Sequence, residues 1–125
     1  MSTKIIGTGS FIPEHIRTNE HFLNHSFHNA DGSSFEVGND VIIENFKSIT
    51  GIEERRYAKD HHTTSDLAFF AAERAIEDAQ IDPESLDYII VGHNFGDVRS
   101  GQLQSDMLPA IAARVKQSLG IKNPS

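Results

Sequence analysis

Apolar positions along the chain follow two rhythms. The helical one is clearest over Leu67–Ala72, LAFFAA, continued by Ala75, Ile76 and Ala79, with Glu73, Arg74, Glu77 and Asp78 on the wet side. This stripe predicts a helix over Ser65–Gln80, wide enough to pack under a sheet and against another helix. Thr63 or Thr64 would cap it, and Thr63 with Asp66 makes a capping box. Leu108, Ile111, Ala112, Val115 and Leu119 repeat at i, i+3, i+4 and i+7, a second amphipathic helix that Gly120 ends. A shorter helix is expected over Asp40–Ser48, with Val41, Ile42, Phe46 and Ile49 as its stripe, Asp40 or Asn39 as its cap and Gly51 as its stop. Thr18 would open another, with Glu20 in its first turn.

The second rhythm is the short apolar run. Tyr88–Val91, with β-branched Ile89, Ile90 and Val91, reads as a strand buried on both faces, ending in Gly92-His93-Asn94-Phe95. Lys4–Ile6 reads as a short strand entering a turn at Gly7 and Gly9. Between the elements lie an Asn29–Asn39 loop, a charged extended piece at Glu53–Arg56, a one-turn Asp82-Pro83-Glu84 helix and a polar loop over Gly96–Met107. A loop of that length inside a domain is usually functional or mobile. The four charges Glu53–Arg56 are either a solvated edge or an internal salt-bridge set. The order of elements predicts an α/β fold in which sites gather where strands end.

Two or three strands cannot cover the apolar faces of three to five helices. The expectation is an incomplete sheet with flanking helices: the 125 residues would be one domain's N-terminal part, or a partner would complete the sheet.

The net charge of −7 argues against nucleic acid and against an anionic membrane surface, since both need a basic footprint. No apolar run reaches the length of about 18 residues that a membrane span needs. With no signal-peptide pattern at the start, a cytoplasmic location is the default expectation. The absence of cysteine removes disulfides, thiolate metal sites and a cysteine nucleophile from these residues.

Candidate chemistry is sparse. Gly7 and Gly9 after a strand suggest a dinucleotide fingerprint, but Ile12 stands where the third glycine belongs and Pro13 where the helix should begin; a turn is the plainer reading. His21, His25 and His28 would share one face if their helix lasted, a spacing that can hold zinc or nickel, against the plainer reading of a solvated face. No metal and no cofactor is expected.

Five blocks in order, Lys4–Asn19 (KIIGTGSFIPEHIRTN), Thr50–Ala58 (TGIEERRYA), Thr63–Asp82 (TTSDLAFFAAERAIEDAQID), Leu86–His93 (LDYIIVGH) and Leu108–Asn123 (LPAIAARVKQSLGIKN), resemble the start of beta-ketoacyl-[acyl-carrier-protein] synthase III. The resemblance implies the N-terminal part of a thiolase-like αβαβα fold, usually a homodimer. It implies an acyltransferase that loads an acyl group from a coenzyme A thioester onto a cysteine. That group then condenses with malonyl-acyl carrier protein, with a histidine and an asparagine polarising the carbonyl. All three catalytic groups would lie beyond Ser125, so this chain alone would be inactive. The resemblance places Asn94 and Phe95 on the acyl-pocket border and the Gly96–Leu108 loop at the dimer contact, with Leu108 closing the neighbouring subunit's pocket. At the coenzyme A clamp, Asn45 and Ile49 replace the family's tryptophan and arginine, so a stacking platform and a cation are gone. The implied role is condensation of longer or unusual acyl groups, with carrier protein as a candidate donor beside coenzyme A, for a specialised lipid or polyketide pathway. The rival reading is a free-standing α/β binding or interaction module that uses the long loop.

Overall fold

The computed structural model describes residues 2–124. They form two compact units, one of Pro13–Ala58 and one of residues 2–12 with 59–124.

In the Pro13–Ala58 unit, β1 (His15–Thr18) pairs antiparallel with β2 (Glu54–Tyr57), Ile16 opposite Arg56 and Arg17 opposite Arg55. Helix α1 (Asn39–Thr50) joins them through a loop, and Gly51 ends it in the left-handed conformation at φ 67°. That is the stop expected of a glycine there. The cap position is Gly38, without a side-chain cap, rather than Asp40 or Asn39. Asn39 instead donates to the Leu23 and His25 carbonyls at 2.7 and 2.8 Å. Ile42 supplies the buried point of the stripe.

Of the four charges Glu53–Arg56, Glu53, Glu54 and Arg56 form a solvated edge, and among the described residues none of the four enters an internal salt bridge. Arg56–Glu54 and Lys47–Glu53 are surface pairs at 3.0 and 2.9 Å, a class that adds little stability. Arg55 turns inward and lies over the rings of Phe22 and Phe46, 5.4 and 5.3 Å from their centroids. It donates to Asn19 Oδ1 at 2.7 Å, while Asn19 Nδ2 donates to the Ile52 carbonyl at 2.8 Å. Buried Asn19 thus has partners for both ends of its amide.

In the other unit, α2 (Thr64–Ala79) starts at the expected capping box, where Asp66 Oδ2 accepts from the Thr63 N–H at 2.8 Å. It packs against α3 (Ile111–Ser118). Ile111, Val115 and Ile121 are the buried apolar residues here. Between the helices, Asp82 accepts from the Glu84 N–H and opens a one-turn helix over Pro83–Ser85. The Glu84 carboxylate then accepts the N–H groups of Lys122 and Asn123 at 2.8 and 3.0 Å, and Asn123 Nδ2 donates to the Glu84 and Leu86 carbonyls.

Two strand expectations need correcting. Tyr88–Val91 and Lys4–Ile6 carry no sheet ladder. A strand is completed by a neighbour at about 4.8 Å, and the only sheet among the described residues is β1–β2. Nor is the Tyr88–Val91 run buried on both faces: Ile89 and Val91 are half-buried, whereas Tyr88 is exposed and Ile90 is 93% exposed.

Gly7 and Gly9 have a different purpose from a phosphate cradle. A Cβ on Gly7 would lie 2.6 Å from the Ala75 carbonyl oxygen and 2.6 Å from Ala79 Cβ. One on Gly9 would lie 2.9 Å from Ala75 Cα, with Ala75 N and Ala71 O closer still. The segment is laid directly on the Ala71–Ala75–Ala79 ridge of α2. Asp78 accepts the Thr8 N–H at 2.8 Å and Arg74 donates to the Ser10 carbonyl at 2.6 Å. Phe11 continues the contact against Phe70, with ring centroids 4.7 Å apart.

Candidate functional site

The Gly96–Leu108 loop is anchored at both ends by polar groups. Asp97 and Asp106 form an isolated antiparallel bridge, with the Asp106 N–H donating to the Asp97 carbonyl at 2.8 Å. The limbs run close. A Cβ on Gly96 would stand 2.6 Å from Ser105 Oγ and nearer still to the Asp106 carbonyl, so glycine is required there for space.

Asp97 is the centre of this anchor, with 2% of its surface exposed. Its carboxylate accepts the Ser65 N–H at 2.8 Å and the Ser65 hydroxyl at 2.7 Å. Ser65 lies in the first turn of α2, where an amide lacks a helical partner and negative charge is favoured. Arg114 of α3 completes the group, its Nη1 3.1 Å from Asp97 Oδ2. Burial pushes the Asp97 carboxyl up. The hydrogen bonds from Ser65, the Arg114 charge and Thr63 outweigh it and hold the group below its ordinary 3.8.

The remaining Arg114 donors face the loop. Nε donates to the Pro109 carbonyl at 3.0 Å; Nη2 donates to the Leu108 carbonyl at 3.0 Å and reaches Asp106 Oδ2 at 3.4 Å. One guanidinium fork therefore binds both ends of the loop at once. Sequence reading missed Asp97 and Arg114. An acid inside a polar loop and a basic residue on an amphipathic helix look solvated until their 17-residue separation is closed in space.

The residues singled out from sequence stand at the outer edge of this anchor. Asn94 is exposed, Phe95 is 72% exposed and Leu108 is 84% exposed. Continuing the Asp97–Asp106 register by count sets Phe95 opposite Leu108. Leu108 precedes Pro109 through a cis peptide and lies outside α3, not on its buried stripe.

The histidine face does not form. The turn opened by Thr18 is a 3-10 turn that stops at Phe22, and His28 sits in a bridge with Ser34. Among the described residues no group of three potential metal ligands occurs. The rings of His21 and His25 are 5.5 Å apart. Burial, then the charges of Arg17, His25 and His15, lower the His21 pKa from its ordinary 6.5. Among the described residues no helix is long and apolar enough to cross a membrane. Asn45 and Ile49 both fall on α1, and both are exposed.

No family model matches the chain. A beta-ketoacyl-[acyl-carrier-protein] synthase III 1 of Vibrio vulnificus is 38% identical to it over 123 residues, and that of Vibrio parahaemolyticus 37% over 122. Each alignment covers 98% of this chain and 32% of the relative. The crystal structure of 3-oxoacyl-[acyl-carrier-protein] synthase III from Aquifex aeolicus superposes with a TM-score of 0.68 at 32% identity, over 98% of this chain and 32% of that one. In sequence and in fold, the chain is therefore similar along nearly all its length to a beta-ketoacyl-[acyl-carrier-protein] synthase III, and spans about a third of the length of those relatives.

Proposed function

We propose that the chain is the N-terminal part of a synthase III-like condensing enzyme, an acyltransferase that joins an acyl thioester to malonyl-acyl carrier protein with loss of carbon dioxide. The observation that carries this reading is the similarity over 98% of the chain, in sequence and in fold together. These residues contain no cysteine, so no thiolate nucleophile stands among them. The nucleophile, its histidine and its asparagine belong to residues past Ser125, and the 125 residues alone are inactive.

The part played here is structural. Asn94 and Phe95 border the acyl pocket, and the Gly96–Leu108 loop meets a second subunit of a homodimer, where Leu108 closes that subunit's pocket. The exposure of Phe95, Leu103, Met107 and Leu108 supports a loop that awaits a surface. With Asn45 and Ile49 at the clamp positions, carrier protein delivers the acyl donor better than coenzyme A, and a longer or unusual acyl group for a lipid or polyketide product suits the long loop. The enzyme works in the cytoplasm, without a cofactor or metal.

The test is acyl transfer by the gene product translated past Ser125, supplied with acyl thioesters and malonyl-acyl carrier protein. Carbon dioxide release with formation of a 3-oxoacyl product is expected, and none from the 125 residues alone. A gene product that lacks a cysteine, or releases no carbon dioxide with any acyl thioester, overturns the proposal and leaves a binding module.

A further inference from the structure

We propose that Arg114 is a positioning residue for Leu108, and that the Asp97–Arg114 pair thereby sets the length of acyl chain the pocket accepts. The inference rests on the proposed function for the meaning of Leu108; the positioning itself stands on geometry.

Leu108 has almost no packing of its own, being 84% exposed. Its position is therefore fixed through its backbone. The Leu108 carbonyl and the next one, of Pro109, are held by different nitrogens of Arg114, each at 3.0 Å. Arg114 itself sits on α3, next to buried Val115. Its third nitrogen is held at 3.1 Å by Asp97, whose carboxylate is fixed in turn by the first turn of α2. Two helices thus lock one side chain, and that side chain locks the two carbonyls.

The chemistry calls for arginine in particular. A planar fork with donors on three nitrogens can serve a carboxylate and two carbonyls together. A lysine ammonium can keep the ion pair with Asp97 but is a single point and cannot also hold both carbonyls. Arg114→Lys is for that reason the informative variant: it keeps the charge beside buried Asp97 and releases Leu108. Arg114→Met removes both.

The experiment has two arms. In the first, the 125-residue chain carries one nitroxide on Leu108→Cys, with Ile49→Cys as a control site on α1; the chain's lack of cysteine makes each label unique. Arg114→Lys is expected to raise the mobility of the label at 108, seen as a narrower central line, and leave the spectrum at 49 unchanged. An unchanged spectrum at 108 overturns the positioning. If Arg114→Met does not fold, Arg114→Lys decides alone.

In the second arm, the full gene product is compared with its Arg114→Lys variant on short and long acyl donors. The ratio of kcat/KM for long over short donors is expected to shift at least tenfold, while a merely structural role would lower both alike. An active parent with an unshifted ratio overturns this inference and leaves the proposed function standing. An inactive parent overturns the proposed function, and with it the role in acyl length.

Discussion

Adding one methyl group at Gly7 tests whether the glycines exist for close packing. The added Cβ would sit 2.6 Å from the Ala75 carbonyl oxygen, 2.6 Å from Ala79 Cβ and 2.7 Å from Ala79 N. Comfortable contact between heavy atoms begins at roughly 3.5 Å, so the segment and the helix must part by nearly an ångström. Overpacking of this kind costs about 1–3 kcal/mol. The Gly7 backbone is not in the left-handed region, so alanine also recovers about 0.4–1 kcal/mol by stiffening the unfolded chain. The net expectation for Gly7→Ala is a loss of about 1–2 kcal/mol. Gly92 is the matched control: nothing lies within 4 Å of its would-be Cβ and its φ is also not positive. Gly92→Ala should therefore gain about 0.4–1 kcal/mol. Urea unfolding followed by far-ultraviolet circular dichroism measures both, the change appearing in the midpoint and not in the slope. Trimming Ala79 to glycine should not rescue Gly7→Ala, because two of the three nearest atoms are backbone and a helical glycine costs about 1 kcal/mol itself. If Gly7→Ala is as stable as Gly92→Ala, the close-packing account is wrong.

Other outcomes follow from the polar anchors. Asp97→Ala leaves Arg114 beside an empty, largely buried site, and a loss of about 3 kcal/mol is expected, the lower end for broken buried pairs because Arg114 is 18% exposed; urea unfolding measures it. The folded Asp97 carboxyl lies below its ordinary 3.8, so its stabilisation is complete above that value and lost as pH falls through the lower folded one. Amide protection over residues 97–108, relative to intrinsic exchange, should accordingly be constant from neutral pH to about 5 and fall only below about 4. His21 runs the opposite way: its folded pKa lies below 6.5, so the unfolded chain binds the proton first and stability falls as pH drops through 6.5. His21→Gln should remove that decline from thermal melts across the range. Glu84→Ala should release the Lys122 and Asn123 amides, read as faster exchange at those two positions with α2 unchanged.

The helices were legible because their information is local. The stripe of α2, its Thr63–Asp66 box and the stop of α1 at Gly51 all lie within a few residues of the structure they cause. The sheet was less legible. His15–Thr18 shows no apolar alternation, and Glu54–Tyr57 is mostly charged. Arg55 is the residue that gives β2 an inner face, and it does so by covering two phenylalanine rings with a cation. Ile89–Val91 misled in the other direction, because β-branched content states a preference for a ladder and cannot supply the second strand. At the candidate site, Phe95 and Leu108 stood out as large apolar residues beside a polar loop. The groups that hold the loop, Asp97 and Arg114, take their meaning from Ser65 and from two carbonyls, partners that no local pattern joins to them.

The seating of the Gly7–Gly9 segment on α2 is a vernier of two rulers that nearly agree. Two residues of extended chain advance about 6.6 Å, and four residues of helix about 6.0 Å. Gly7 meets Ala75 and Ala79, and Gly9 meets Ala71 and Ala75, so the rulers run in opposite senses and coincide at these two marks. Each further step adds about 0.6 Å of slip. One mark beyond Gly7, α2 has already ended at Ala79, and one mark beyond Gly9 the chain meets the helix through a ring, so the requirement for a bare backbone lapses at both. Ile5 stands exposed there at one end, and Phe11 leans its ring on Phe70 at the other. The near match of periods thus writes a spelling rule, small at two alternate positions for as long as the ridge lasts, and the rule can be transposed to any place where an extended segment lies along an alanine ridge.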